Sequence, residues 1–165
     1  MIGQTRITRR SDPYELVVER TFEATPARLW RCWTTPEVTR WWGPRGWTAV
    51  VHEMDVRIGG TWRYSIAPEA GDEQPVHCAA VYRRIEEPAV LAFDDGFVDE
   101  SGELVADATL PITVTIDRRD GGTHLTITTR YTDAEHLATA ETSGMDTGLA
   151  EALDRLGEHI DHIDL

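Results

Sequence analysis

Lysine and asparagine are both absent from these 165 residues. Without lysine there is no amine for Schiff-base chemistry and no P-loop to hold a nucleotide phosphate, so both activities are excluded. Without asparagine there is no acceptor for N-glycosylation. Both gaps fit a coding bias toward GC-rich codons, which explains their origin and leaves the exclusions standing. Cysteine is scarce: Cys32 and Cys78 are the only two, and neither has the partner spacing of a zinc site. In a chain without a secretion signal they read as free buried thiols. No run approaches the ~18 apolar residues of a membrane span. The opening Met1-Ile2-Gly3-Gln4-Thr5-Arg6 lacks the apolar stretch of a signal peptide, so a cytoplasmic location is expected.

The formal net charge is −13, and it is unevenly spread. From Thr132 onward nine acids face Arg155 alone, a net −8, against 20 acids and 15 arginines before it, a net −5. Such a surface disfavours nucleic acid and anionic membrane as partners. Apolar residues make up 41% and charged residues 27%, as in an ordinary soluble domain, and the length suits one domain over 1–165.

What is abundant is tryptophan, and all six fall between Trp30 and Trp62. Each aromatic ring can bury roughly 150–250 Å². That is more apolar mass than two short helices need for docking, so the surplus either plugs a core or lines a hollow.

Tyr14 to Phe22 alternates as a strand. Thr25-Pro26 and Thr35-Pro36 each start a short helix, with threonine as N-cap and proline at the first helical position; the first ends near Trp33 and Gly43-Pro44 closes the second. Strands follow over about Trp47–Val56, Thr61–Ile66, Val76–Ile85, Val90–Phe97, Leu110–Asp117 and Thr123–Tyr131, with hairpin signals at Gly59-Gly60 and Asp120-Gly121-Gly122. The polar stretch Asp99–Ala108 reads as a loop. Met145, Leu149, Leu153, Leu156, Ile160 and Ile163 recur at helical steps and form one apolar stripe. Ser143-Gly144 interrupts that helix, so Ala134–Thr142 reads as a separate short helix or as a kinked first section.

The pattern therefore predicts an α+β fold with an antiparallel sheet of about seven strands, covered on one face by a long C-terminal helix. A helix of about 20 residues spans ~30 Å in length but only ~10 Å in width. It is too narrow for a strongly curved sheet, and the remaining space is filled by side chains or left open.

The residues Arg20-Thr21-Phe22-Glu23-Ala24-Thr25-Pro26, Trp30, Trp33-Thr34, Pro36-Glu37, Trp41-Trp42-Gly43-Pro44 and Asp55-Val56-Arg57-Ile58-Gly59-Gly60-Thr61-Trp62-Arg63 form a pattern that resumes at Ser143-Gly144-Met145-Asp146-Thr147-Gly148-Leu149 and Leu153-Asp154-Arg155-Leu156. This resembles the family homologous to the C-terminal domain of the activator of the heat-shock-protein-90 ATPase, within the START-like (SRPBCC, helix-grip) superfamily. The likeness covers about residues 14–163. It implies a curved sheet gripping the C-terminal helix, with a cavity between them. Members of the superfamily bind hydrophobic small molecules, act as polyketide cyclases or dehydratases, or bind proteins, and one related type confers self-resistance to a reactive antibiotic. Fold alone does not choose among these. The eukaryotic activator carries a separate N-terminal domain with no counterpart in this sequence, so a chaperone partner is the weaker implication.

The expected function is the binding of a hydrophobic small molecule, with no cofactor and no metal. Trp33, Trp41, Trp42, Trp62, Tyr64, Phe93, Phe97, Met145 and Leu149 are the expected lining, and His77 is the candidate proton-transfer group if its strand face looks inward. The alternatives are a cyclase or dehydratase using His77, and a co-chaperone-type interaction module. Other polar groups read as structural. Asp55 and Arg57 suit an ion pair bracing the Gly59-Gly60 turn. His52 has ambiguous strand parity. His159 and His162 suit plain surface positions, and Asp94-Asp95 before Gly96 suits a solvated turn.

Overall fold

The computed structural model describes residues 4–105, 109–119 and 121–163. In chain order the elements are β1 (Arg6–Ser11), β2 (Tyr14–Phe22), α1 (Pro26–Thr34), a 3-10 turn (Pro36–Arg40), β3 (Trp47–Met54), β4 (Thr61–Pro68), β5 (Val76–Glu86), β6 (Val90–Phe97), β7 (Leu110–Arg119), β8 (Gly122–Arg130), α2 (Ala134–Thr142) and α3 (Met145–Ile163). The strands form one antiparallel sheet in the order β1-β2-β8-β7-β6-β5-β4-β3. This is the helix-grip arrangement, with eight strands where about seven were expected.

The added strand is β1. Its sequence Arg-Ile-Thr-Arg-Arg-Ser carries a single large apolar residue and no alternation, because it is an exposed edge paired only to β2. Of the expected loop at 99–108, residues 106–108 lie outside the described residues. The rest carries a bridge from Val98 to Leu104 and a turn closed on the Asp99 carboxylate by Ser101 and Glu103 backbone N–H groups. Asp120 of the expected hairpin signal also lies outside the described residues; Arg119 pairs with Gly122 across that turn.

Both early helices start as their caps dictate. The Thr25 hydroxyl accepts from the Arg28 N–H at 3.1 Å, and the Thr35 hydroxyl accepts from the Glu37 N–H at 3.3 Å. At Gly144 the backbone turns to φ +87°, a conformation glycine adopts at little cost, and this breaks α2 from α3.

The inner face of the sheet and α3 build the core. Leu16, Val18 and Phe22 of β2, Val114 and Ile116 of β7, and Leu125 and Ile127 of β8 pack with Leu149, Leu153, Leu156 and Ile160 of α3. Burying each such side chain contributes about 1.5–3 kcal/mol. Of the α3 stripe, Leu149, Leu153, Leu156 and Ile160 are buried, while Met145 at its start is 36% exposed. One polar residue holds the segment after the 3-10 turn against α3. Arg155 Nη1 donates to the carbonyl oxygens of Trp42, Gly43 and Pro44 at 3.4, 2.9 and 3.1 Å.

Candidate functional site

Five of the six tryptophans, all but Trp47, belong to the buried core. Trp33, Trp41 and Trp62 are each at most 1% exposed. Their rings meet edge to face or tilted: Trp33 with Trp41 at 4.7 Å between centroids, Trp42 with Trp62 at 5.4 Å, and Trp62 with Phe93 at 6.0 Å. Much of the space that a narrow helix leaves uncovered is thus filled by indoles. Trp33, Trp41, Trp62 and Phe93 lie within this packing, behind the space they were expected to line.

Space remains at one end. A cleft of about 350 Å³ lies between α3 and strands β4–β6, bounded by Trp42, Pro44, Tyr64, Ile66, Phe97, Met145, Leu149 and Ala152. Of the expected lining residues, Trp42, Tyr64, Phe97, Met145 and Leu149 meet here. Phe97 and Met145 stand at the mouth, 52% and 36% exposed. Gly144 and Gly148 open the wall formed by the start of α3.

The floor of the cleft carries one acid that sequence reasoning assigned to a turn. Asp95 lies inside β6, on the same face as Phe93 and Phe97, and lines the cleft. Across the sheet it is a diagonal neighbour of Tyr64, because β5 places the small Cys78 and Ala80 between them. The Tyr64 hydroxyl donates to Asp95 Oδ1 at 2.9 Å. The Trp42 ring stands beside Tyr64, their centroids 6.2 Å apart.

Burial governs the protons here. Desolvation raises the Asp95 carboxyl to about 7, against the opposing pull of the Tyr64 hydroxyl and the Gly96 N–H. Tyr64 is pushed well above the usual phenol value, first by burial and then by the Asp95 charge. Burial, then Asp95, lifts the Cys78 thiol to about 12, which makes it inert at neutral pH.

His77 does not reach the cleft. It is exposed on the opposite face of β5, opposite Ser65 and 6.3 Å between ring centroids from His52, which itself bonds Ser65. The inward face carries Cys78, Ala80 and Tyr82 instead. The condition attached to His77 is therefore not met, and the inward polar group is Asp95. Its neighbour Asp94 faces out and pairs with Arg83 at 2.7 Å. Asp55 and Arg57 form an exposed ion pair at 2.7 Å beside the Gly59-Gly60 turn, away from the cleft.

His159 departs from its expected surface position. Its Nε2 lies 2.6 Å from Glu37 Oε2, with both side chains mostly buried between α3 and the 3-10 turn. The His162 side chain lies outside the described residues. Cys32, Glu37 and His159 bring three ligand-type atoms within 4.8 Å of one another. Arg28 occupies the same spot, with Nη2 at 2.7 Å from Glu37 and Nη1 at 3.2 Å from Cys32 Sγ. Burial, then the Glu37 charge, raises the Cys32 thiol to about 12. A cation is already present and the thiol keeps its proton, so this cluster fits a hydrogen-bonded clamp better than a metal site.

A second, polar hollow of about 460 Å³ sits beside the start of β1, lined by Arg6, Glu19, Arg20, Thr21 and His124 among others. On the sheet face away from α3, His124 bonds Thr21 through Nδ1 and Glu19 through Nε2, both at 2.8 Å. These side chains tie β2 to β8 and do not touch the apolar cleft.

Residues 23–161 match the family model described as activator of Hsp90 ATPase homolog 1-like protein. The chain belongs to that family. Among solved structures it is similar to protein Ms6760 from Mycobacterium smegmatis, at 25% identity over 97% of each chain with a TM-score of 0.83. It is also similar to a protein from Arthrobacter aurescens, at 27% identity over 92% of this chain and 88% of that one, with a TM-score of 0.83. A Rhodobacter sphaeroides protein shares the fold at 22% identity and a TM-score of 0.80, over 96% of this chain and 99% of the other. No curated protein matches the chain. None of the described helices is long and apolar enough to cross a membrane.

Proposed function

We propose that this chain binds a hydrophobic small molecule in the cleft between the sheet and α3. The observation that carries the reading is the cleft itself, about 350 Å³ and walled by Trp42, Ile66, Phe97, Met145 and Leu149. Ligand sites span roughly 300–1,000 Å³, are mostly apolar and hold a few placed polar groups. Tyr64 and Asp95 are such groups. The exposed apolar residues Phe97 and Met145 stand at its mouth, where a guest would cover them.

An acid–base enzyme acting on a polyketide-like substrate is the second reading. It is favoured by one observation, that the Asp95 carboxyl lines the cleft, where burial raises it to about 7 and so suits it to proton transfer. Turnover lost in Asp95→Asn with binding retained would establish it. A docking module for a chaperone receives less support, because the other exposed large apolar side chains, Ile7, Val50, Ile58 and Val105, sit on separate elements and loops.

Native mass spectrometry of protein isolated from its own host tests the binding reading. The expected result is a retained small molecule on the unaltered protein and none on Gly148→Leu, which would project a side chain into the cleft. Protein that carries no adduct, and whose melting temperature no member of a panel of apolar ring compounds raises, would rule the reading out.

A further inference from the structure

The cleft has a charge asymmetry that its apolar walls make consequential. Among its described lining residues Asp95 is the single side chain that ionises near neutral pH, and none is basic. Tyr64 from β4 and Cys78 from β5 face the same carboxyl, and both keep their protons. The lining residues of α3 and of the Ser143-Gly144 bend carry no charge. Arg155, the cation on α3 that approaches this wall, is held on the carbonyls of Trp42, Gly43 and Pro44.

A carboxylate offers about four lone-pair positions. Tyr64 takes one on Oδ1 and the Gly96 N–H takes another. Among the described residues no other side chain supplies the rest, and no lining cation offsets the charge. An ionised acid left in that condition is costly, so its hydrogen-bonding capacity is turned toward whatever enters the cleft.

We infer that the guest is a hydrophobic amine, an apolar ring or chain system bearing one protonated nitrogen that sits against the Asp95 carboxylate. The inference rests on the reading of the cleft as a ligand site and names the class of molecule it takes. Aromatic walls support it independently of the carboxylate. The Trp42 and Tyr64 rings lie 6.2 Å apart at 84° to each other, and both line the space beside Asp95. Two ring walls and an acid in an otherwise apolar site form a recognised environment for an ammonium group. The outer field points the same way. The segment from Thr132 onward carries a formal net charge of −8, offset in part by Arg9, Arg20 and Arg45, and the whole chain is at −13, so the surrounding field favours cations. A carboxylic acid or a phosphate would meet Asp95 with no lining cation to receive it.

Calorimetric titration with three probes of one shape separates the outcomes: 1-naphthylmethylamine, 1-naphthalenemethanol and 1-naphthoate. At pH 8 the amine should bind at least about tenfold more tightly than the alcohol, the worth of one charge-assisted contact. That advantage should shrink as pH falls through about 7, since Asp95 gains a proton while the amine stays charged. In Asp95→Asn the amine should lose its advantage and bind no more tightly than the alcohol does to the same variant. The pH series on the unaltered protein needs no variant to fold. Equal binding of amine and alcohol at pH 8, or tightest binding of the naphthoate, would overturn the amine inference and leave the cleft as a ligand site. Failure of all three to bind would count against the cleft reading itself and take the inference with it.

Discussion

Tyr64 reaches over β5 to place its hydroxyl 2.9 Å from Asp95 Oδ1, joining β4 to β6 inside an apolar cleft. The contact depends on the small inward side chains of the strand between them, Cys78 and Ala80. Burial of that carboxyl, which the Tyr64 contact partly offsets, ties the stability of the fold to pH.

Asp95 holds its proton up to about 7 in the folded state, against 3.8 when unperturbed. Between those values the folded protein binds a proton that the unfolded chain has released, so stability falls as pH rises from about 4 to about 7. At 1.36 kcal/mol per pKa unit, and with some water reaching this half-buried group, the loss is on the order of 2–4 kcal/mol. Asp95→Asn should remove it. Urea unfolding of both proteins at pH 4.5 and pH 8 should show the variant gaining ground at the higher pH.

Glu37 should act in the opposite sense. Burial pushes its pKa up, but hydrogen bonds from Arg28 and His159 outweigh that and bring it to about 2, below the usual 4.5. Its contribution is complete above about 4.5 and disappears as pH falls toward 2. Glu37→Gln should therefore destabilise the protein by on the order of 2 kcal/mol at pH 7, with the difference closing in acid. Denaturation midpoints across pH 2.5–7 measure this.

Truncation should separate the plug from the rim. Trp41→Ala, in a ring that is fully buried, should cost about 3–5 kcal/mol. Met145→Ala, at the partly exposed mouth, should cost less than about 1 kcal/mol. A comparable loss for both in chemical denaturation would mean that the mouth is packed like the core.

Both thiols should be silent until the chain unfolds. Cys32 and Cys78 are buried and free, and burial raises each to about 12. A disulfide reagent at pH 8 should find neither in the native protein and both in urea. A fast-reacting thiol in the native state would contradict the burial described.

Gly60→Ala should destabilise through its backbone alone. An added Cβ would lie 2.1 Å from the Asp55 carbonyl oxygen, where no flexible group can yield. A loss of roughly 2 kcal/mol or more is expected, while Gly148→Ala, whose Cβ meets only Pro44 at 3.5 Å, should be neutral or gain up to about 1 kcal/mol from helix propensity. Thermal melts of the two variants distinguish the cases.

Much of the architecture was readable along the chain because the elements are locally consistent. Strands β2 and β6 and helix α2 fall on the expected bounds, and threonine–proline caps mark both early helices. The misses have local causes. Asp94-Asp95-Gly96 has turn composition, and nothing in the residues themselves reveals that a small-residue strand lets Tyr64 reach it. His77 shares its face with Ala79 and Val81, whose apolar character imitates an inward surface, although Ala79 is buried outside the core cluster. His159 is near the end of a helix, and its partner Glu37 is 122 residues away, a separation no periodicity encodes. The division of the tryptophans between plug and rim depended on how far α3 extends over the sheet, which packing decides.

Among the described residues the sheet does not close, and β1 keeps one row of backbone donors and acceptors without a neighbouring strand. That border is edged by Arg6, Arg9 and Arg10, all exposed. Two molecules approaching along it would set guanidinium against guanidinium, and the repulsion would oppose cross-molecule strand pairing. A protein strongly anionic as a whole thus keeps a cationic hem where polymerisation would otherwise begin.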